Sequence, residues 1–418
     1  MKVLGIVSEY NPFHLGHLYH LKESLKVIKP DYTIAVMSGN FTQRGEPAII
    51  DKWLRTEAAL RCGIDLVLEL PVVYSTQSAE FFAYGAVQIL NQTGLVTHMS
   101  FGSETTDLDT LWHLAEILTT EDAGFKLNLK GFLLQGMSFP AARQHAIREY
   151  LQQTGRLHSE SQKISSLIIG SNTILAVEYL KALKKTDSHI VPVIIKRIAS
   201  AYNSTVLRKG ITSAASIRKE FYKNGLTTGL MESMPKASYD VLAGAVESGR
   251  GPSIPCKLDS LVLGLIRRSS REEISQWMNV EEGLENRIKE SALNASGTED
   301  LIASLKTKRY VRTRLNRIII HGLLNLTKDR FRELNSGIGP KYIRILGFSS
   351  KALPLLKELK NSSRVPVLTK AAHYKKYDRD LRGMFEYDIL ATDIYALTLD
   401  RDDLRKGGRD LTQGPVML

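Results

Sequence analysis

The sequence predicts an α/β protein in which an N-terminal doubly wound parallel sheet is followed by a helical domain and a small C-terminal α/β unit. Three observations predict it. Short apolar runs alternate with helical patterns through the first 200 residues, helical periodicity dominates from about 213 to 335, and strand-like runs return near residue 342. At 418 residues, 43% hydrophobic and 24% charged, the chain has the length for two or three domains and the composition of a globular enzyme.

The strands come first. VLGIVS (3–8), YTIAVMS (32–38), DLVLELP (65–71), THMSFGS (97–103) and HIVPVIIKRI (189–198) are apolar runs of the kind a sheet buried on both faces requires. Between them, HLYHLKESLKVI, DKWLRTEAALRCG, SAEFFAYGAVQILNQTG and NTILAVEYLKALKK repeat apolar residues at three and four positions, and two end in glycine, a helix stop. Repeated strand–helix–strand units give parallel strands joined by right-handed crossovers. LDTLWHLAEIL and AARQHAIREYLQQ break the rhythm as a helical insertion over about 105–165, before the last strand. These elements make a first domain over 1–225. A helical domain follows over 226–338, with a joint at SGRGPSIP (248–255). The unit at 339–418 is read from YIRILGFSSKALPLLKEL, VPVLT and YDILATDIYAL, and the terminal RDDLRKGGRDLTQGPVML is expected to fray.

Several classes are excluded. No apolar run approaches the roughly 18 residues of a membrane span, and MKVLGIVSEYNPFH turns polar without a cleavage site, so it reads as a buried first strand and the chain as cytoplasmic. Cys62 and Cys256 stand in unrelated contexts, which suits two buried thiols and gives neither a disulfide framework nor a zinc site. Charge is more informative. Residues 301–418 hold 24 Lys and Arg against 12 Asp and Glu, leaving 32 of each for the rest of the chain. A basic excess confined to one end points to a polyanion, nucleic acid ahead of an anionic membrane, because neutralising phosphates releases counterions.

The chemistry-bearing signal is FHLGH, after the first strand and at the start of a helix. Alone, two histidines on a helix edge are more often ordinary polar groups. In an open α/β sheet, however, ligands sit beyond the carboxyl ends of the strands, where helix N-termini favour phosphate. There His14 and His17, three residues apart on one face, can donate to phosphate oxygens, and Gly16 admits the ligand to the backbone. TSAASIR (212–218) follows the last strand; read alone it is only an N-cap, the commoner use of Ser and Thr, and beside the histidines Thr212 or Ser213 is expected to cap a helix while Arg218 reaches phosphate. No Ser/His/Asp or Cys/His arrangement offers a nucleophile.

These two segments resemble the HxGH and ISSTxxR-like motifs of the HIGH-type nucleotidyltransferases, a HUP/Rossmann-like superfamily. VLGIVSEYNPFHLGH, SGNFTQRGEPAIIDKWLR, SFGSE, NTILAVEYLKAL and TKRYVRTRLNRIIIHGLL extend the likeness over most of the chain, to the bacterial tRNA(Met) cytidine acetate ligases. The resemblance implies ATP and acetate as co-substrates, an acetyl-adenylate intermediate, and acetyl transfer to N4 of the wobble cytidine of elongator tRNA(Met). Mg²⁺ would arrive with ATP, with no protein-bound metal and no obligate protein partner. By position it implies an ATP site of Val7, Ser8, Glu9, Tyr10, Asn11, Pro12, Phe13, His14, Leu15, Gly16, His17, Leu18, Tyr19 and His20, with Gly102, Asn172 and Arg197; His14 and His17 would be catalytic. The chain departs from the family pattern in having SNTILA for PNNILG-like residues and IASAYN (198–203) for a GAGYH-like stretch. A small-molecule adenylyltransferase is the alternative.

For RNA, Lys306, Lys308, Arg309, Arg312, Arg314 and Arg317 place six cations in twelve residues around Tyr310, a cationic face if helical, leading into the apolar IIIHGLLNL. His373, Tyr374, Lys375, Lys376 and Tyr377 are a second candidate, with aromatics among lysines suited to stacking on unpaired bases.

Overall fold

The computed structural model describes residues 1–137, 139–153, 171–197, 212–281 and 283–418. Five strands, β1 (Val3–Ser8), β2 (Tyr32–Ser38), β3 (Leu66–Leu70), β4 (His98–Ser103) and β5 (Val191–Lys196), form the parallel part of the sheet. The order is β5-β4-β1-β2-β3. The chain therefore winds one way from β1 to β3 and then crosses back to β4, which makes the β1/β4 boundary the topological switch point. β1 pairs β2 from Val3–Tyr32 to Ser8–Met37, and β4 pairs β5 from His98–Val191 to Ser103–Lys196.

Alternation along the strands explains the burial on both faces. Ile34, Val36, Leu66, Leu68 and Leu70 enter one apolar cluster, while Leu4, Ile6, Ala35, Met37 and Val67 enter the other. Helices α1 (Leu15–Ile28) and α2 (Lys52–Arg61) cover the second face. The first is covered by α3 (Val72–Ser75), α4 (Ala79–Gln92) and, past the insertion helices α5 (Leu108–Thr120), α6 (Ala123–Leu134) and α7 (Phe139–Gln153), by α8 (Ser171–Lys185).

Past α9 (Ala214–Asn224), α10 (Thr228–Ser233) and α11 (Lys236–Glu247), the helical region consists of α12 (Asp259–Arg268), α13 (Arg271–Gln276), α14 (Leu284–Asn294), α15 (Thr298–Leu305), α16 (Arg312–Leu323) and α17 (Lys328–Leu334). Its apolar residues are continuous with the first core. The C-terminal residues then return to the sheet. β6 (Ile343–Phe348) lies antiparallel on β3; the short β7 (Val367–Leu368), after α18 (Leu353–Ser362), and β8 (Val416–Met417), after α19 (Arg379–Ala396) and α20 (Arg409–Thr412), both pair with β6. The expected α/β strands at 339–418 are thus an extension of the N-terminal sheet.

Two expectations are corrected. The terminus does not fray: Asp410 is fully buried, bonded to Lys52 and Arg344, and β8 joins the sheet. Burial of a charge needs partners, and these lie far away in sequence. Of the two cysteines, Cys62 is half-buried and Cys256 is exposed; both are free. Among the described residues no helix is long and apolar enough to cross a membrane.

Candidate active site

The loop between β1 and α1 is built around two imidazoles. His14 is the N-cap residue of α1, with extended backbone, and its Nδ1 accepts the Gly16 N–H at 3.0 Å. His17, on the first turn, returns the bond: its Nδ1 accepts the His14 N–H at 3.2 Å. Histidines thus play both roles of a capping box usually made by Ser or Thr with Glu. The rings stack with centroids 3.8 Å apart. Because each Nδ1 is an acceptor, the neutral tautomer of each ring carries its proton on Nε2, leaving two N–H donors. Burial, with Arg197 and Arg218 nearby, lowers the His14 pKa to about 3; burial and the neighbouring His14 push His17 well below its usual range. Both rings are therefore neutral donors near pH 7.

A cavity of about 150 Å³ opens in front of this loop. Of the positions singled out in the sequence, Val7, Ser8, Tyr10, His14, Gly16, His17, Tyr19, His20, Gly102, Asn172 and Arg197 line it. Its walls come from the ends of β1, β4 and β5, so it sits at the switch point. Gly102 leaves room there for the Arg197 stem, which lies across the strand end: a Cβ would stand 3.0 Å from Arg197 Cγ. Arg197 donates to Asn172 Oδ1 at 2.9 Å. His20 meets Ser100 Oγ through Nε2 at 3.0 Å, and burial lowers its pKa to about 4. Ile6, Phe101, Leu175, Tyr179, Ile195, Lys196 and Thr212 complete the lining. Apart from Thr212, which the TSAASIR segment had singled out as a cap, sequence reading missed them, although Phe101 and Ile195 fall in strands beside recognised positions and Leu175 and Tyr179 recur at helical spacing from Asn172.

The remaining motif residues build the loop from behind. Glu9 Oε1 accepts the Gln43 N–H at 2.6 Å, Asn11 Oδ1 accepts the Ile49 N–H at 2.8 Å, and Phe13 is buried in the second core with its carbonyl accepting from Ser238 Oγ. Leu18 packs on the same core, and Leu15 opens α1 after the Pro12–His14 bend. Arg55 adds a bond to the Glu9 carbonyl at 2.6 Å. In the TSAASIR segment Ser213, not Thr212, caps α9, and Arg218 donates to the Asn11 carbonyl at 2.9 Å. Arg218 thus supports the histidine loop from the protein side. Residues 198–203 lie outside the described residues.

The basic segment is only partly helical. Lys306, Lys308 and Arg309 are exposed in the connection before α16, and Arg312 begins the helix paired with Glu299. Tyr310 among them is buried, with the guanidiniums of Arg287, Arg309 and Arg314 at 5.3–5.9 Å from its ring. Arg314 donates to Asn279 O at 2.9 Å and pairs with Glu281. Arg317 turns inward, donating to Gln43 O at 3.3 Å, and burial lowers its pKa to about 10. In the second candidate segment Tyr374 is buried against Phe385, so its ring is not open for base stacking, and Tyr377 is half-buried against the core; His373, Lys375 and Lys376 are exposed.

A mostly parallel sheet, a histidine-capped helix at its switch point and a cavity with two guanidiniums close by define a nucleotidyl transferase class of α/β protein. The family model described as HIGH Nucleotidyl Transferase matches residues 1–410. The tRNA(Met) cytidine acetate ligase of Acetivibrio thermocellus is 44% identical over 422 residues, covering all of both chains, and that of Halothermothrix orenii is 41% identical over 98% of each. The crystal structure of Thermotoga maritima TmcAL bound with alpha-thio ATP superposes with a TM-score of 0.93 at 36% identity, over 100% of this chain and 99% of that one. The chain belongs to the HIGH nucleotidyl transferase family, among the tRNA(Met) cytidine acetate ligases.

Proposed function

We propose that this chain binds ATP at the His14/His17 loop, joins acetate to it as acetyl-adenylate, and transfers the acetyl group to N4 of the wobble cytidine of elongator tRNA(Met). The observation that carries the reading is the pair of imidazoles with both Nδ1 atoms engaged by backbone N–H groups. In the first step an acetate oxygen attacks the α-phosphorus and pyrophosphate leaves. The Nε2–H groups of His14 and His17 and the Arg197 guanidinium donate to the phosphate oxygens as charge builds on them. In the second step the cytidine amine attacks the acetyl carbonyl, AMP leaves and the amine proton passes to solvent. Neither step calls for a protein nucleophile. Mg²⁺ enters as part of MgATP, held by phosphate oxygens. Among the described residues the polar lining holds three imidazoles, Lys196 and Arg197 and no carboxylate, a donor set that fits phosphate better than a resident cation. Lys306, Lys308, Arg309 and Arg312, with Arg314 behind them, would hold the tRNA backbone, while Arg317 braces the Gln43 loop.

Pyrophosphate exchange into ATP tests this, run with acetate, with other small acids and with no acid, followed by labelled acetate and bulk tRNA. Acetate-dependent exchange and label in tRNA are expected. Exchange only with a phosphorylated cofactor precursor would instead make the chain a small-molecule adenylyltransferase.

A further inference from the structure

Glu104 follows β4 directly and is not among the residues that line the cavity, yet it bonds Asn172, which is, and through it reaches Arg197. Its Oε1 accepts Asn172 Nδ2 at 2.8 Å, and its Oε2 accepts the Thr173 N–H at 2.8 Å and Thr173 Oγ1 at 2.5 Å. The carboxylate therefore sits at the N-terminus of α8, where free N–H groups and the helix dipole favour a negative charge. Burial pushes its pKa up, but the bonds from Thr173 and Asn172 outweigh that and hold it below the usual carboxylate range. It is ionised near pH 7.

The consequence lies one bond further on. An amide side chain has a donor end and an acceptor end, and Glu104 accepts only. With Asn172 Nδ2 committed to Glu104, Oδ1 faces the other way and receives Arg197 Nη1 at 2.9 Å. Arg197 is tied at its own backbone to the Ser103 carbonyl at 3.0 Å, and its stem crosses Gly102. A carboxylate, an amide and a guanidinium thus link the ends of β4, α8 and β5 in series; Glu104 accepts only and Arg197 donates only, so the Asn172 amide between them has one orientation.

We propose that Glu104 is the positioning residue for ATP: by fixing the orientation of the Asn172 amide it aims the Arg197 guanidinium at the phosphates. The inference rests on the ATP reading above. A glutamine at 104 occupies the same space, but its NH₂ would face the Thr173 N–H or the Asn172 NH₂. With the NH₂ toward Asn172, that amide must turn its oxygen to residue 104 and Arg197 loses its acceptor; with the NH₂ toward Thr173, the anchor at the start of α8 loses a bond.

The test is a double-mutant cycle on ATP affinity, with Glu104→Gln, Asn172→Ala and the pair, each followed by calorimetric ATP titration and thermal unfolding. Each single change is expected to weaken ATP about tenfold, and the pair no more than about twofold beyond Asn172→Ala alone, because both remove one linkage. Multiplied losses of about a hundredfold in the pair, or an unchanged affinity in Glu104→Gln, would overturn the proposal and leave Glu104 a helix cap only. Should Glu104→Gln fail to fold, Asn172→Asp combined with Glu104→Gln restores a donor opposite each acceptor. That pair is expected to recover ATP affinity relative to Asn172→Asp, and no recovery in a folded protein would overturn the proposal. A wild-type protein that shows no ATP binding at all refutes the underlying ATP reading instead.

Discussion

The tautomers of His14 and His17 are the residue-scale fact on which the chemistry turns. A ring whose Nδ1 accepts a backbone N–H has no freedom to present that nitrogen to a ligand, so Nε2–H is the donor. His17→Ala removes one donor and the bond that satisfies the His14 N–H. Acetate-dependent exchange is expected to fall about 10²–10³-fold in kcat, with about 1 kcal/mol lost from stability at the cap. Activity within about threefold of wild type would remove His17 from the reaction.

The same burial fixes a pH dependence. His14 is lowered to about 3, His20 to about 4 and His321 to about 4, with His17 also far down, whereas unfolded imidazoles titrate near 6.5. Below about pH 6.5 the unfolded chain binds more protons, so stability falls as pH drops and the loss is complete near the folded values. Asp388, raised to about 7 by burial and by Glu69, works in the opposite direction between about pH 7 and 4. Four imidazoles against one carboxylate leave a net loss. Urea midpoints at about pH 7.5 and 5.5 check it, and an equal or higher midpoint at the lower pH would mean that these rings are charged in the folded protein.

At the scale of elements, the QRGEPA loop is the keystone, because it is held between the histidine loop and α16. Gln43 and Ile49 donate to Glu9 and Asn11 on one side; Glu46 accepts from Asn316 and Gln43 O accepts from Arg317 on the other. Gly45 has φ +71°, and a Cβ there would lie 2.4 Å from the backbone nitrogen of Arg317. Gly45→Ala therefore adds left-handed strain to a backbone clash and is expected to cost about 2–4 kcal/mol, read as a lowered denaturation midpoint. A neutral result would show that α16 moves freely over the loop.

The connection before α16 behaves differently, because Lys306 and Lys308 are exposed. Replacing both by alanine is expected to reduce the slope of log affinity for tRNA against log salt by about 1.4–1.8, whereas Arg312→Ala, already paired with Glu299, changes it by less than about 0.7. Filter binding over a salt series measures both, and an unchanged slope in the double variant would move the tRNA contact elsewhere. The five parallel strands and the histidine loop were legible from the sequence because period and spacing are local. The inward turn of Arg317, the burial of Tyr310 and the role of Glu104 were not, since each depends on a partner from a distant segment.

For the whole molecule, the ends of the chain are joined by charge. Lys52 pairs with Glu69 at 2.7 Å and Asp410 at 2.8 Å; Arg344, opposite Glu69 in the β3–β6 register, pairs with it at 2.9 Å and also with Asp410. All four side chains are buried. Burial opposes ionisation of Asp410, but Arg344 and Lys52 prevail and hold its pKa down to about 2. These ion pairs join two cations to two anions, so removing one anion leaves the cations short of a partner in a medium that solvates charge poorly. Asp410→Asn is accordingly expected to cost about 3–5 kcal/mol, seen as a large drop in urea midpoint. The network sits on the β3–β6 side of the sheet, two strands from the β1/β4 switch point, so KM for ATP should stay within about twofold of wild type at temperatures where the variant is folded. That contrast separates fold from site: loss of ATP affinity in step with stability would show the terminal segment to be part of the nucleotide site, and an unchanged midpoint would show the buried charges to be solvated after all.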